Sequence, residues 1–257
     1  MINLPCYENE KLKKILERVN SNIRLQAYWD CSNKVAVDRL RINDHGKVHV
    51  AIVANIAIRL LRNIIEAKIS PSVVKDHGFE NEDAEAIVFL ASVLHDIGHA
   101  IHRDEHQWFS IPLGLDMIHD LIDGIYDERE KTIITSEVLH AIISHHHNFK
   151  PLTIEAGILC VSDALDMKQG RARIPFIEGK RDIHQVSALA IQDVQISSTE
   201  ERPIVIKIEM DNSAGIFQVD ALLKRKIENS GLKKYISVIA EIKDKTEKKI
   251  LDRYEYH

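Results

Sequence analysis

Apolar residues recur at helical spacing from about residue 10 to residue 170. In the stretch KVHVAIVANIAIRLLRNIIEA, residues 47–67, Val50, Val53, Ala57 and Leu60 follow one another at steps of three or four residues. Such spacing places these side chains on one face of a helix. The pattern predicts an all-α domain of six to eight helices over residues 1–180.

Hydroxyl side chains predict where two of the later helices begin. Thr153 stands just before IEAGILCVSDALDM, and Thr135 or Ser136 stands just before EVLHAIISHH. A side-chain oxygen at such a position accepts from an N–H group of the first helical turn.

The apolar period changes from helical to alternating after about residue 179. In RPIVIKIEMD, residues 202–211, every second residue is apolar, and DVQIS and KKYISVIAEIK alternate in the same way, as half-buried strands do. The segment IFQVDALLKRKIENSG predicts a helix that Gly231 ends. We expect residues 181–257 to form a small β-β-α-β module of the α+β class, with KDKTEKKILDRYEYH as a solvated helix or tail. The fold class is mainly α, a helical bundle followed by this module.

Composition excludes several classes of protein. The 257 residues carry a net charge of −5, which argues against the clustered basic surface of a nucleic-acid-binding protein. Cys6, Cys31 and Cys160 are odd in number and widely spaced, so they predict no disulfide framework. The N-terminus is too polar for a secretory signal, and no unbroken run of about 18 apolar residues indicates a membrane span. We expect a cytoplasmic protein.

Histidine is concentrated in one part of the chain. Twelve of the fourteen histidines fall between His45 and His147. Metal binding is the commonest cause of such clustering, and scattered surface residues are the alternative.

His95 and Asp96 interrupt the apolar helix ASVLHDIG. A buried carboxylate beside an imidazole is unfavourable unless it is paired or bound to metal. Neighbouring side chains on a helix point about 100° apart. Both therefore reach one point only near a helix end, which Gly98 is expected to supply.

Two other apolar helices each carry one residue of the same kind. His49 lies near the start of HVAIVANIA, and Asp163 lies within GILCVSDALDM. Taken singly, each residue has an ordinary alternative explanation, which is a hydrogen-bonded polar group in the core. Together they predict a metal site that contains the following residues: His49, His95, Asp96 and Asp163. Mixed imidazole and carboxylate ligands suit Mn, Fe, Co, Ni or Zn better than Ca or Mg.

A second group of histidines predicts a second metal ion. If Asp96 bridges two ions, His106 and His145 are the expected ligands of the second one, with His146 next in order, while His147 is expected to be exposed. The histidines that carry no positional argument are interpreted as surface or structural residues: His45, His77, His119, His184 and His257.

Cationic residues lie near the predicted ligands along the chain. His99 and Arg103 are expected at a rim, where they either face a substrate or are simply exposed to solvent. Arg171 and Arg173 follow Asp163 closely. Two guanidinium groups there suit bidentate capture of phosphate oxygens, unless they belong to a solvated loop.

The order of these motifs resembles a known family. HVAIVA at His49, then LHDIGH, then VSDALD at Asp163 look like the HD superfamily of metal-dependent phosphohydrolases, over about residues 45 to 175. DEHQWFS and AIISHHH are similar to its dinuclear members, while NDHGKVHV, GRARIP and NSAGIFQVD resemble an archaeal-type group with an extra C-terminal module. The resemblance implies an HD-domain bundle with metals at its centre, and hydrolysis of a phosphate ester.

The chain departs from this family in two places. His99 stands where many members have lysine, and no GYP signature follows His146. The resemblance therefore does not imply cyclic di-GMP as the substrate.

The expected reaction follows from the residues and the resemblance together. A water activated by one or two divalent transition-metal ions (Mn, Fe, Co, Ni or Zn) attacks the phosphorus of a small phosphorylated substrate, such as a nucleotide. The expected metal ligands are His49, His95, Asp96, Asp163, His106, His145 and His146. The expected substrate-binding residues are Arg103, Arg171 and Arg173, and the catalytic ones are Asp96, Arg103 and His99 as a proton shuttle.

Two other functions stay open. One is a regulatory protein that senses a nucleotide without turnover, and the other is a di-iron oxygenase on the same scaffold. A homo-oligomer with no membrane or nucleic-acid partner is expected in each case.

Overall fold

The computed structural model describes residues 1–146, 148–168, 187–243 and 253–256. Within these ranges the first 168 residues contain eight α-helices, which confirms the predicted all-α part. Their bounds are α1 Glu10–Ser21, α2 Ile23–Asn33, α3 Lys47–Glu66, α4 Ser72–His77, α5 Asn81–Leu94, α6 His106–Ile122, α7 Glu128–Ser144 and α8 Ile154–Leu165. A π-helical turn at Lys34–Arg39 and a 3₁₀ turn at Ile97–Ala100 lie between them.

Helix α5 forms the centre of the bundle. Every residue from Asp83 to Leu94 is buried, because α1, α3, α7 and α8 pack around this helix. A helix that is apolar on all sides is stable in water only when it is enclosed in this way. The indole N–H of Trp29 donates to the carbonyl oxygen of Val93 at 2.9 Å, which holds the C-terminal end of α5 in place.

Helix α3 lies against α5 and α8. Its buried face includes Val50, Val53, Ala57 and Leu60, the residues whose spacing predicts the helix. Among the described residues, α3 alone is long and apolar enough to cross a membrane, but half of its apolar stretch is buried inside the protein. Such burial is typical of a core helix. A cytoplasmic location stays a prediction.

The starts of α7 and α8 test the two predicted hydroxyl caps. The Thr153 side chain accepts from the first turn of α8 and confirms that cap. Helix α7 instead begins seven or eight residues before Thr135 and Ser136, where Asp127 and Glu130 accept from each other's backbone N–H groups. The later start was wrong because an acidic capping box satisfies the same free donors.

A four-stranded sheet forms the C-terminal part, in the order β1-β2-β3-β4. The strands are β1 Ile191–Ser197, β2 Ile204–Met210, β3 Ile236–Ile242 and β4 Arg253–Tyr256. The pair β2 and β3 is parallel, and the two outer pairs are antiparallel. The predicted β-β-α-β order is confirmed. The interpretation of the last residues as a solvated helix or tail was wrong, because residues 253–256 pair with β3.

A helix connects the parallel strands β2 and β3. It begins with a π-helical turn at Gln218–Leu223 and continues as α9, Lys224–Asn229. Gly231 follows with φ 76°, a left-handed conformation that glycine adopts without strain, as predicted for this helix end. Helix α9 packs on α8 of the bundle. The domain boundary predicted at residue 180 lies outside the described residues and stays a prediction.

Candidate metal centre

His95 and Asp96 enter the centre of the bundle because α5 ends just before them. His95 is the C-cap of α5, and Asp96 opens the 3₁₀ turn that follows. The helix thus ends before Gly98, which has another role. A Cβ atom on Gly98 would lie 2.6 Å from the backbone nitrogen of Ser110 and would also meet the carbonyl oxygen of His106. Gly98 therefore allows the turn to lie directly against α6.

A first donor group forms around His49, in the first turn of α3. Its Nε2 atom lies 3.3 Å from Oδ2 of Asp96 and 3.4 Å from Oδ1 of Asp163. Nε2 of His95 lies 3.9 Å from the same Asp163 oxygen. The structure therefore brings together the four residues that three separate helices were predicted to contribute.

A second donor group shares the Asp96 carboxylate. Its Oδ1 atom lies 3.2 Å from Nε2 of His106, at the start of α6, and 3.9 Å from Nε2 of His145, just after α7. One carboxylate oxygen thus faces each group.

The protonation of two rings follows from their backbone contacts. Nδ1 of His95 lies 2.8 Å from the carbonyl oxygen of Ser92, and Nδ1 of His145 lies 2.6 Å from that of Ile142. A carbonyl oxygen only accepts, so each Nδ1 carries a proton, and a neutral imidazole has only one. Burial lowers the pKa of both His95 and His145. Both rings are therefore neutral, and both Nε2 atoms are bare acceptors.

His49 and His106 are oriented by the same kind of contact. Nδ1 of His49 lies 2.7 Å from Oδ2 of Asp166, and Nδ1 of His106 lies 3.1 Å from the carbonyl oxygen of Arg103. Each contact turns the ring so that its Nε2 atom faces the Asp96 carboxylate. Histidines that bind metal through one nitrogen almost always make such a contact through the other.

The Nε2 atoms face one another in pairs, and each pair contains one of the two neutral rings. Nε2 of His49 lies 3.3 Å from Nε2 of His95, and Nε2 of His106 lies 3.1 Å from Nε2 of His145. The bare Nε2 atoms of His95 and His145 accept only, so each needs a donor or a cation beside it. A divalent cation between these nitrogens and the Asp96 carboxylate would be a partner for all of these donors. The residues therefore fit divalent metal ions.

Asp163 is ionised in this setting. Burial opposes its charge, but the Lys226 ammonium, with Nζ 3.4 Å from Oδ2, and the contact with His49 outweigh the burial. Together they hold the pKa of Asp163 well below its usual range. Asp163 is therefore an anionic donor at neutral pH.

His45 belongs to the centre, so its interpretation as a surface residue was wrong, whereas a structural role stays a prediction. Its Nδ1 atom lies 2.6 Å from Oδ2 of Asp96, and it forms a close donor group with Asp96 and His49. The signal in the sequence was its position four residues before His49 in NDHGKVHV. His45 precedes the helix, so no helical periodicity pointed to it.

His99 is not at an exposed rim. Its side chain is fully buried, stacked between the rings of His45 and His106 with centroids 4.3 and 4.0 Å away. Burial lowers its pKa strongly, and its Nε2 atom lies 3.6 Å from Oδ1 of Asp96. A proton shuttle that reaches substrate does not fit this position. A donor or a packing residue beside the carboxylate does.

A cavity of about 720 Å³ opens above the centre. Arg103 lines it, with Nη1 3.4 Å from Nδ1 of His106, so the expected place of this arginine beside the site agrees with the structure. His146 lines the cavity too, but it is not part of a close donor group among the described residues. Five positions with a prediction lie outside the described residues: His147, Arg171, Arg173, His184 and His257.

The C-terminal module supplies part of the cavity wall, which the sequence did not indicate. The lining residues from its helix include Gln218, Arg225, Lys226 and Asn229. They come from a separate segment of the chain, and no motif links them to the histidines.

A helical bundle with a carboxylate shared between imidazole groups defines a class of metal-binding proteins. The family model that matches the chain is the HD domain, over residues 46–168, a range that includes every predicted metal ligand of the centre. The chain belongs to the HD domain family, a superfamily of metal-dependent phosphohydrolases. The predicted family is thus confirmed.

Curated relatives agree with this assignment. An uncharacterized protein of Methanocaldococcus jannaschii is 44% identical over 230 residues, which cover 90% of this chain and 89% of that protein. Ribonuclease Y of Alkaliphilus metalliredigens is 29% identical over 145 residues, or 54% of this chain and 28% of the relative. Ribonuclease Y of Desulforudis audaxviator is 28% identical over 152 residues, which cover 56% of this chain and 27% of that protein. No solved structure gives a significant match.

Proposed function

We propose that this protein is a metal-dependent hydrolase that cleaves a phosphate ester in a small phosphorylated molecule, such as a nucleotide. The observation that carries the proposal is the pairing of imidazole nitrogens around one shared carboxylate, Asp96, beneath a cavity that cationic side chains line. The volume of about 720 Å³ lies within the range of small-molecule sites.

The donor set divides into two parts. His49, His95, Asp96 and Asp163 would hold one ion, and a second ion would be held by Asp96, His106 and His145. His45 and His99 add nitrogen donors to the same carboxylate. A divalent ion bound there polarises a phosphate oxygen and makes a coordinated water more acidic.

The residues around the ions would bind and orient the substrate. Arg103 brings a guanidinium group to the cavity wall, where its fixed N–H donors suit phosphate oxygens. Asp166 keeps the His49 ring turned so that Nε2 points into the centre. Neither residue needs to change its protonation for these tasks.

Metal content is the first measurement, made by plasma mass spectrometry on tag-free protein. We expect one or two ions of a divalent transition metal per chain, lost in Asp96→Ala because both donor groups share that carboxylate. Asp120→Ala, at an exposed position of α6, is the matched control and retains the metal. A folded wild-type protein that holds no metal, and takes up none on addition, would contradict the proposal.

Activity is then measured with the metal that the protein retains. The panel contains a phosphomonoester, a phosphodiester, nucleotides and an RNA oligonucleotide, the last because two relatives are named ribonuclease Y. We expect release of phosphate or of the ester alcohol from small substrates, at least a thousandfold slower in Asp96→Ala. If only the RNA oligonucleotide is cleaved, the substrate is a polynucleotide and not a small molecule. Nucleotide binding without turnover, or oxygen consumption with a substrate, would replace the hydrolase by one of the two alternatives.

A further inference from the structure

The C-terminal module reaches the candidate metal centre through one lysine. Nζ of Lys226, on α9, donates to the carbonyl oxygen of His145 and lies 3.4 Å from Oδ2 of Asp163. Its side chain is only 20% exposed. An ammonium group from the module is therefore held between two residues of the centre, one from each donor group.

The position of this ammonium leaves it able to bind an anion. A lysine has three N–H donors, and the contacts recorded among the described residues account for two of them. Lys226 also lines the cavity. A phosphate oxygen that enters the cavity beside Asp163 meets the remaining donor.

Close packing fixes the module helix against the helix that carries Asp163. A Cβ atom on Gly157 of α8 would meet the carbonyl oxygen of Ser230 and would lie 3.1 Å from Cγ of Leu232. One turn further along α8, Sγ of Cys160 lies 4.0 Å from the carbonyl oxygen of Lys226. Because α8 packs closely against α9 and the residues just after it, the place of Lys226 is set by the fold and not by a flexible stem alone.

A second cation of the module lines the same cavity. Arg225 precedes Lys226 on α9 and is exposed. Lys224, two residues before Lys226, does not line the cavity and pairs instead with Asp220 at 3.1 Å. The helix thus presents two cations to the site and one away from it.

We infer that the C-terminal module is a part of the substrate site, in which Lys226 and Arg225 bind a phosphate group of the substrate. The inference rests on the proposed function, because it assigns the module to the same phosphate-cleaving site. It implies that the HD domain residues form an incomplete site without the module. The anion is recognised by charge-assisted hydrogen bonds, which are about twice as strong as neutral ones.

The test is binding of inorganic phosphate to the metal-loaded full chain, measured by calorimetry. We expect Lys226→Met, which keeps the apolar stem, to weaken phosphate binding by about 10- to 100-fold, while metal content stays that of the wild type. Lys226→Arg is expected to restore most of the affinity, and Arg225→Ala to lower it severalfold. The control Lys224→Ala is expected to bind within twofold of the wild type.

Three results would overturn the inference: unchanged phosphate affinity in Lys226→Met, an equal loss in Lys224→Ala, or a metal-loaded wild type that binds no phosphate. If Lys226→Met does not fold, the phosphate affinity of Arg225→Ala decides, because the Arg225 side chain is exposed and its removal leaves the packing intact. Failure of the hydrolase proposal looks different. Phosphate binding through Lys226 with no turnover of any substrate refutes the hydrolase, whereas turnover with an unchanged KM in Lys226→Met refutes only the role of the module.

Discussion

The carboxylate of Asp96 lies within 4 Å of six imidazole rings among the described residues. It is 3% exposed, so water offsets little of its charge, and burial of an unpaired anion is costly. The charge of Asp96 is therefore stabilised by the groups around it and not by water. Since both donor groups contain the same carboxylate, occupation of one by a cation alters the other.

His45 makes the shortest of these contacts, and its removal tests the extent of the centre. We expect His45→Ala to weaken metal binding by about 10- to 100-fold, as loss of a residue that orients a ligand does, with the fold retained. Titration against a chelator of known affinity measures this change. His119→Ala, at an exposed position of α6, is the control. Equal affinities in the two variants would show that His45 only fills space.

At the scale of elements, the centre depends on where helices end and how closely they approach. The backbone N–H of Gly98 donates to the Ser110 hydroxyl at 2.9 Å, and that hydroxyl donates to the carbonyl oxygen of His95 at 2.7 Å. These contacts tie the 3₁₀ turn to α6. The turn carries Asp96 at its start, and α6 carries His106, so the two donors are positioned by one junction.

Gly98→Ala tests this junction. The added Cβ atom meets the backbone of α6, and overpacking of this kind costs about 1–3 kcal/mol. We expect a loss of that size in urea unfolding, together with weaker metal binding. Gly114→Ala is the control, since the nearest atom to its Cβ is 3.6 Å away and alanine favours the helix. A Gly98→Ala protein as stable as Gly114→Ala would refute the close approach.

Glu155 joins α8 to the start of α4. Its carboxylate accepts from the backbone N–H groups of Val73 at 3.0 Å and Ser72 at 3.3 Å. Burial raises the pKa of Glu155 above its ordinary value of 4.5, and these N–H groups offset only part of the rise. The folded chain thus holds the Glu155 proton more tightly than the unfolded chain does.

This pKa shift predicts a pH dependence of stability. When the folded state binds the proton more tightly, the free energy of unfolding falls as pH rises from the unfolded pKa through the folded one. We expect Glu155→Gln to lack this fall, measured by urea unfolding between pH 4.5 and 7.5. Glu137, whose pKa burial also raises, is present in both proteins. Parallel pH profiles for the two proteins would contradict the prediction.

At the scale of the whole molecule, the centre joins segments that are far apart in the chain. Its donors come from α3, from α6, from α8 and from the residues that directly follow α5 and α7. Lys226 adds a contact from the module. Cations bound there stabilise only the folded chain, because the unfolded chain does not assemble the donors.

Removal of the metal is therefore expected to lower the melting temperature. A ligand present at about a thousand times its Kd stabilises the folded state by about 4 kcal/mol, which corresponds to about 10 °C for a chain of this size. Scanning calorimetry with and without a chelator measures the shift. Asp96→Ala is expected to melt at the same temperature in both conditions. A similar chelator effect on this variant would place the stabilising ion elsewhere.

The sequence alone determined the helical bundle, the succession of strands and helix along the module up to β3, and the polar residues placed in apolar helices. His49, His95, Asp96 and Asp163 were predictable because a polar group in an apolar helix costs free energy that something must offset, and this conflict is visible in one dimension. The start of α7 was not predictable, because two sets of capping residues competed for the same N–H donors.

Only the tertiary structure decided which residues His45, His99, Gly98 and Lys226 contact. His45 meets a carboxylate 51 positions away, and Lys226 meets one 63 positions away. His99 is buried by rings on both sides rather than exposed, and Gly98 is needed for a helix that approaches it from later in the chain. Local periodicity reports which face of a helix is buried, but it does not report what that face meets, because the partners are chosen by packing between distant segments.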